Sequence, residues 1–469
     1  MSEVSADVLH KEIWQMIIGF LPLPYNIAAG MVSKEWLAII QNLRQQRSSE
    51  KSQPKQKLLF CALVAKQGNL KLLKWVRKKG FQWDASVCTI AIRNDHLELF
   101  KWAIVNGCQF EGPTFAAAAE NGYLDILKLL RQKNQKLLEQ TYTKIDDYML
   151  CSSAAKGGHL DVLQWATENG YPKNFDICSN AATGGHLEVL QWARKNGFHW
   201  SATTCLSAVE GGHFDILKWL CDNGCEWSYR LSERAARHGH LEILKWIRDK
   251  NCPWYSSTCS SAAAGGYLEV LKWARENGCP WTACTCEFAA ANGHLEVLQW
   301  ARENGCEWNP STCELAAANG HLEVLKWARE NGCEWNLQTI YNAAGRGHLE
   351  IVQWALQNGC PRDHNATKLA AMNGHLEVLQ CLLANGCPMN DWICNYAAKY
   401  GHLNVLEWAY ENDYPFYKET FKEAAKRDYL NILEWIREKD CIRDMFLRLF
   451  VGQNDNHEKI TEWINALSK

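Results

Sequence analysis

Residues 316–333 read Ala316-Ala317-Ala318-Asn319-Gly320-His321-Leu322-Glu323-Val324-Leu325-Lys326-Trp327-Ala328-Arg329-Glu330-Asn331-Gly332-Cys333, and close variants of this string recur along the chain. The position of His321 is filled in turn by His159, His186, His213, His240, Tyr267, His294, His321, His348, His375, His402 and Tyr429, every step being 27 residues. Looser copies at Asn69, His96 and Tyr123 keep the step, and a worn copy follows at His457. Nine extra residues separate Tyr123 from His159. About fifteen units therefore cover residues 57–469. A fixed period of this size implies an array in which each unit buries its core against its neighbours. The fold class expected is all-α, an α-solenoid, with an insertion near 132–147 and a polar C-terminal cap over 444–469.

The unit Pro310–Asn336 predicts helix, tight turn, helix, loop. Ser311 is suited to cap the first helix, with Glu314 three residues later completing a capping box. Ala316, Ala317 and Ala318 favour helix and let neighbours approach closely. Gly320 supplies the left-handed conformation that ends it. The second helix places Val324, Leu325, Trp327 and Ala328 on one face and Glu323, Lys326, Arg329 and Glu330 on the other. Lys326 and Glu330 are spaced to pair. Gly332 stops this helix in turn. Trp follows the His column by six residues in 13 of the units, and a second Trp column runs through Trp83, Trp200, Trp227, Trp254, Trp281, Trp308 and Trp335. Both are expected to form the stacking core, because each buried Trp hides roughly 150–250 Å².

Composition narrows the function. With 50 basic and 52 acidic residues the chain has no electrostatic footprint for nucleic acid. No apolar run reaches membrane-spanning length, and Met1–Asp7 lacks the features of a signal peptide. A cytoplasmic or nuclear protein is expected. Of 21 cysteines, 18 fall in two repeat columns, the first including Cys108, Cys225, Cys279, Cys306 and Cys333, the second Cys88, Cys205, Cys259, Cys286 and Cys313. One thiol per column per unit suits small buried packing groups. Zinc needs paired spacings that are missing. Eleven of the 15 histidines lie in the His column, one repeat apart, and Tyr replaces three members without disturbing the period. A structural role at the helix start is expected, with no metal, no cofactor and no catalytic residues. No P-loop, G-x-G-x-x-G, His-Glu-x-x-His or Gly-x-Ser-x-Gly occurs.

The string Ala-Ala-x-x-Gly-His-Leu-Glu-Val-Leu-Lys, followed by Glu-Asn-Gly-Cys, resembles ankyrin repeats over most of residues 57–440. Ankyrin units are typically 33 residues and carry Thr-Pro-Leu-His in the first helix. Here the unit is six residues shorter, with Ser-Thr-Cys-Glu in that place. The shortfall is expected in the finger between units. That makes the exposed face of the first helices the better contact surface.

Residues 1–46 do not repeat. Leu9, Glu12, Ile13, Ile17, Leu21 and Pro22, then Val32-Ser33-Lys34-Glu35-Trp36, resemble an F-box, with His10 where that family has Pro. The resemblance implies docking of Leu9, Glu12, Ile13, Ile17, Leu21, Pro22, Val32 and Trp36 on a Skp-type adaptor and, through it, a cullin ubiquitin ligase. Residues 47–56 read as a polar linker. The combination is similar to chains of amoebae and of the large DNA viruses that infect them.

Four positions per unit vary freely: the seventh, sixth, third and second before the His column. Arg234, Arg237 and His238 with nearby Arg230, then Tyr341 and Arg346, then Tyr396 and Tyr400, are the candidate target-binding residues, since Arg and Tyr are enriched at binding hot spots. A monomeric protein–protein interaction adaptor is expected, with a scaffold lacking any ligase link as the alternative.

Overall fold

The Ala-rich half and the amphipathic half of each unit become two short helices that pack side by side. The computed structural model describes residues 61–78, 80–135, 144–171 and 176–439, and among these it is all-helical. The F-box-like residues Leu9, Glu12, Ile13, Ile17, Leu21, Pro22, Val32 and Trp36 lie outside the described residues, as do the linker 47–56, the cap 444–469, Cys441 and His457. The chain divides into two compact units, Met1–Ser228 and Tyr229–Lys469.

Within each unit the helix pairs follow the 27-residue period. In the first, Ala85–Arg93 pairs with Leu97–Val105 and Ala202–Glu210 with Phe214–Asp222. In the second, Ser256–Gly265 pairs with Leu268–Glu276, Pro310–Ala318 with Leu322–Glu330, and Lys418–Ala425 with Leu430–Glu438. First helices pack on first helices of adjacent repeats, and each packs on its own second helix. The core is built from small residues. Cys313, Ala316 and Ala317 of one first helix, and Leu325 and Ala328 of its partner, are wholly buried.

The first helix of the 310–336 repeat is capped differently from expectation. Asn309 is the cap: its Oδ1 accepts from the Ser311 amide at 3.0 Å, and Pro310 fills the first helical position. Pro there loses no hydrogen bond, since that amide would be unpaired in any case. Glu314 turns instead to Asn336, which caps the next first helix, and accepts from its Nδ2 at 2.8 Å. Lys326 pairs with Glu323, at 2.8 Å, one turn back. Gly320 and Gly332 do take positive φ, +83° and +86°.

The Trp columns are not the core. Among the described residues only Trp435 is buried, and the other column tryptophans are half-buried. They form a ladder on the second-helix side. Trp308 meets Trp327 of the following repeat edge-on, ring centroids 5.8 Å apart, and Trp281–Trp300 and Trp335–Trp354 repeat the contact at 5.9 and 5.6 Å. Six of the seven loop Trp residues are covered by an Arg of their own repeat, Arg329 lying 4.3 Å from the Trp335 ring centre and Arg275 4.0 Å from that of Trp281. Trp is large and is therefore rarely fully buried even where most of its surface is covered.

The insertion lengthens helices. Leu124–Gln135 has 12 residues and Lys144–Gly157 has 14, against nine in most others. The polar excursion expected over 132–147 is thus helical at both ends, with 136–143 outside the described residues.

Candidate interaction face

The His column holds neighbouring repeats together. His321 Nε2 lies 3.2 Å from the Ala291 carbonyl, His348 Nε2 3.0 Å from that of Ala318, and His402 Nε2 2.9 Å from that of Met372. Each carbonyl closes the first helix of the preceding repeat and otherwise lacks an intrahelical partner. His321 is the residue before helix Leu322–Glu330, yet its side chain makes no cap there. It reaches back instead. Its ring occupies the space where a Cβ on Gly293 would stand, 2.7 Å away, and Gly293 has φ +78°. Tyr267 covers Gly239 in the same manner, which explains why Tyr substitutes for His.

The cysteine columns are structural. All the column thiols among the described residues are free and buried, while Cys284 is exposed and Cys221 and Cys381 are intermediate. Cys333 Sγ donates to the Asn309 carbonyl at 3.4 Å, Cys306 Sγ to Thr282 at 3.4 Å and Cys108 Sγ to Asp84 at 3.3 Å, so the loop thiol ties the end of a repeat to its beginning. Burial pushes the Cys61 and Cys178 thiols up to about 11 and Cys360 to about 12. Such thiols stay protonated and unreactive.

What remains free to vary is the outer face of the first helices. In the Tyr229–Lys469 unit, Arg230 precedes helix Leu231–Arg237 and is exposed, as is Arg237, whereas Arg234 and His238 are half-buried. His238 stacks on His240, ring centres 6.1 Å apart. Tyr341 is half-buried and its hydroxyl donates to Asp363 Oδ2 at 2.5 Å. Asp363 caps the next first helix by accepting from the Asn365 amide at 2.8 Å. Tyr341 therefore also braces two repeats. Arg346 is exposed and donates to Asn319 Oδ1 at 2.9 Å. Tyr396 carries Lys368 Nζ 5.1 Å from its ring centre, and Tyr400, 42 % exposed, carries Lys399 Nζ at 5.5 Å.

These candidates form three groups, one on each of three non-consecutive first helices. Sequence reasoning missed an aromatic edge beside them. Tyr229, 62 % exposed, meets Tyr255 edge-on at 6.4 Å, and Trp392, 50 % exposed, meets Tyr417 at 5.9 Å. These residues lie 10–12 positions before the His column, where loop and first helix join. The signal was their departure from the usual polar residues at that place.

Residues 313–393 match a family model described as ankyrin repeats (3 copies), and residues 178–221 match one described as ankyrin repeats (many copies). The chain thus carries ankyrin repeats, which are interaction modules. No curated protein matches it. Among solved structures, the human ASB11 ankyrin repeat domain is similar to 34% of this chain and 84% of its own, at 21% identity and a TM-score of 0.30. Among the described residues no helix is long and apolar enough to cross a membrane.

Proposed function

We propose that the chain is a binding adaptor: the first-helix face holds a protein target and residues 1–46 recruit a Skp-type adaptor and a cullin ubiquitin ligase. The observation that carries the binding half is the separation of duties within each repeat. Column residues such as His321, Cys333 and Gly293 are consumed by the scaffold, while Arg237, Arg346 and Tyr400 stay on the surface and change from repeat to repeat. The ligase half is supported by Leu9, Glu12, Ile13, Ile17, Leu21 and Pro22, followed by Val32 and Trp36 at F-box spacing. If the kinship with viral chains holds, the target is a host protein.

A pull-down from cell extract, intact chain against a deletion of residues 1–46, tests both halves. The adaptor and cullin should appear with the intact chain alone, and target proteins with both baits. Recovery of neither ligase component leaves an ankyrin scaffold without a ligase link. Loss of all partners with the deletion would contradict target binding by the repeats.

A further inference from the structure

We infer that the first-helix face of residues 337–428 takes an acidic, extended peptide segment. The inference rests on the proposal that this face binds protein and names the chemistry of what binds. The charges are sorted by helix. At the variable positions of the four first helices in this stretch stand Arg346, Lys368, Lys399, Lys422, Lys426 and Arg427, with Glu423 as the one acid. Glu423 is already engaged by Lys426 at 2.9 Å and Arg427 at 3.2 Å. These two cations and Lys399 hold its carboxyl below the usual carboxylate range. Lys368, Lys399 and Lys422 are in no ion pair among the described residues.

The second helices of the same stretch carry the opposite sign. From Leu349 to Glu438 they hold Glu350, Glu377, Glu407, Glu411, Glu434 and Glu438, with Arg437 alone against them. An acidic segment is therefore attracted to one side of these repeats and repelled from the other, which fixes where it lands. Tyr396 and Tyr400 lie beneath the lysine ammonium groups and confine them, so less side-chain freedom is lost on binding.

Geometry sets the spacing of the ligand. Adjacent packed helices are about 8–10 Å apart, and an extended chain advances about 3.3 Å per residue. A segment crossing the repeats would present a carboxylate to each repeat at about every third residue. Nucleic acid fits less well, because the flanking second helices are acidic.

The test uses the full chain and a fluorescein-labelled peptide of about twelve residues with Glu at every third position, read by polarisation. Three comparators accompany it: the same composition with the Glu residues contiguous, a peptide with Lys for Glu, and a uridine oligonucleotide of similar length. The spaced acidic peptide should bind best, weaken as salt is raised, and lose about tenfold in affinity with K368E/K399E/K422E. E350K/E377K/E407K, on the second helices, should not weaken it. Circular dichroism and melting confirm that the variants fold. No binding of the acidic peptide, equal binding by the reversed variant, or tighter binding of the oligonucleotide overturns the inference. If the pull-down targets are lost with Y396A/Y400A while the acidic peptide fails to bind, the face still binds protein and only the acidic class falls.

Discussion

At the residue scale, two side chains and one missing side chain carry most of the account. Gly293 combines φ +78° with the His321 ring in its Cβ position. Ala there must distort both, so Gly293→Ala should destabilise by about 1–3 kcal/mol, more than an ordinary helix-end change. Urea titration checks it, and a change under about 0.5 kcal/mol would contradict the staple. His402 bears on pH. Burial holds its imidazole below the usual 6.5. The unfolded chain takes up a proton there before the folded one does, so this group's contribution is complete above pH 6.5 and lost as pH falls below it. His402→Tyr, the exchange nature makes at Tyr429, should reduce the loss of stability between about pH 7.5 and about pH 5.5. An unchanged pH profile would count against the assignment. Among the described thiols, Cys284 should be alkylated first under native conditions, with the buried columns protected until denaturant is added. Peptide mapping after brief iodoacetamide treatment reads this directly.

The element scale shows what the sequence could and could not disclose. Helix number, order and the stopping glycines were legible, because Ala runs, apolar periodicity and Gly320 each have one structural meaning. The cap was not. Asn309, Ser311 and Thr312 offer three capping residues within four positions, and Pro310 at the first helical position selects Asn309. The pairing of Lys326 with Glu323 over Glu330 also turned on a rotamer choice. The Trp columns were found but misplaced, since size suggested burial. Within the chain, six of the seven loop Trp residues have Arg six positions earlier, Trp227 with Cys221 being the exception. That correlation marked a covered ladder rather than a core. A double-mutant cycle on Arg329 and Trp335 should return about 0.5–1 kcal/mol of coupling. Zero coupling would mean that the stacking is incidental.

For the whole molecule, contacts between adjacent repeats are the source of stability, as in any linear array. The His column was visible in the sequence, but its action was not, because the ring reaches a carbonyl far back in the chain, 30 residues from His321 to Ala291 and 39 from His159 to Glu120 across the insertion. The candidate binding residues were legible only as variable columns. Over residues 337–438, the division into basic variable positions on the first helices and acidic second helices is not a property of any single repeat and emerges only when the repeats are taken together. Binding then belongs to one side of the repeats. A paired capture from one cell extract tests this most directly, using the intact chain, a first-helix variant (R237A/R346A/Y396A/Y400A) and a second-helix variant (E269A/E296A/E323A). The account predicts that target proteins are lost with the first-helix variant and kept with the second-helix variant, both folded to the same melting temperature. Retention of every target by the first-helix variant, or their loss only with the second-helix variant, would contradict it.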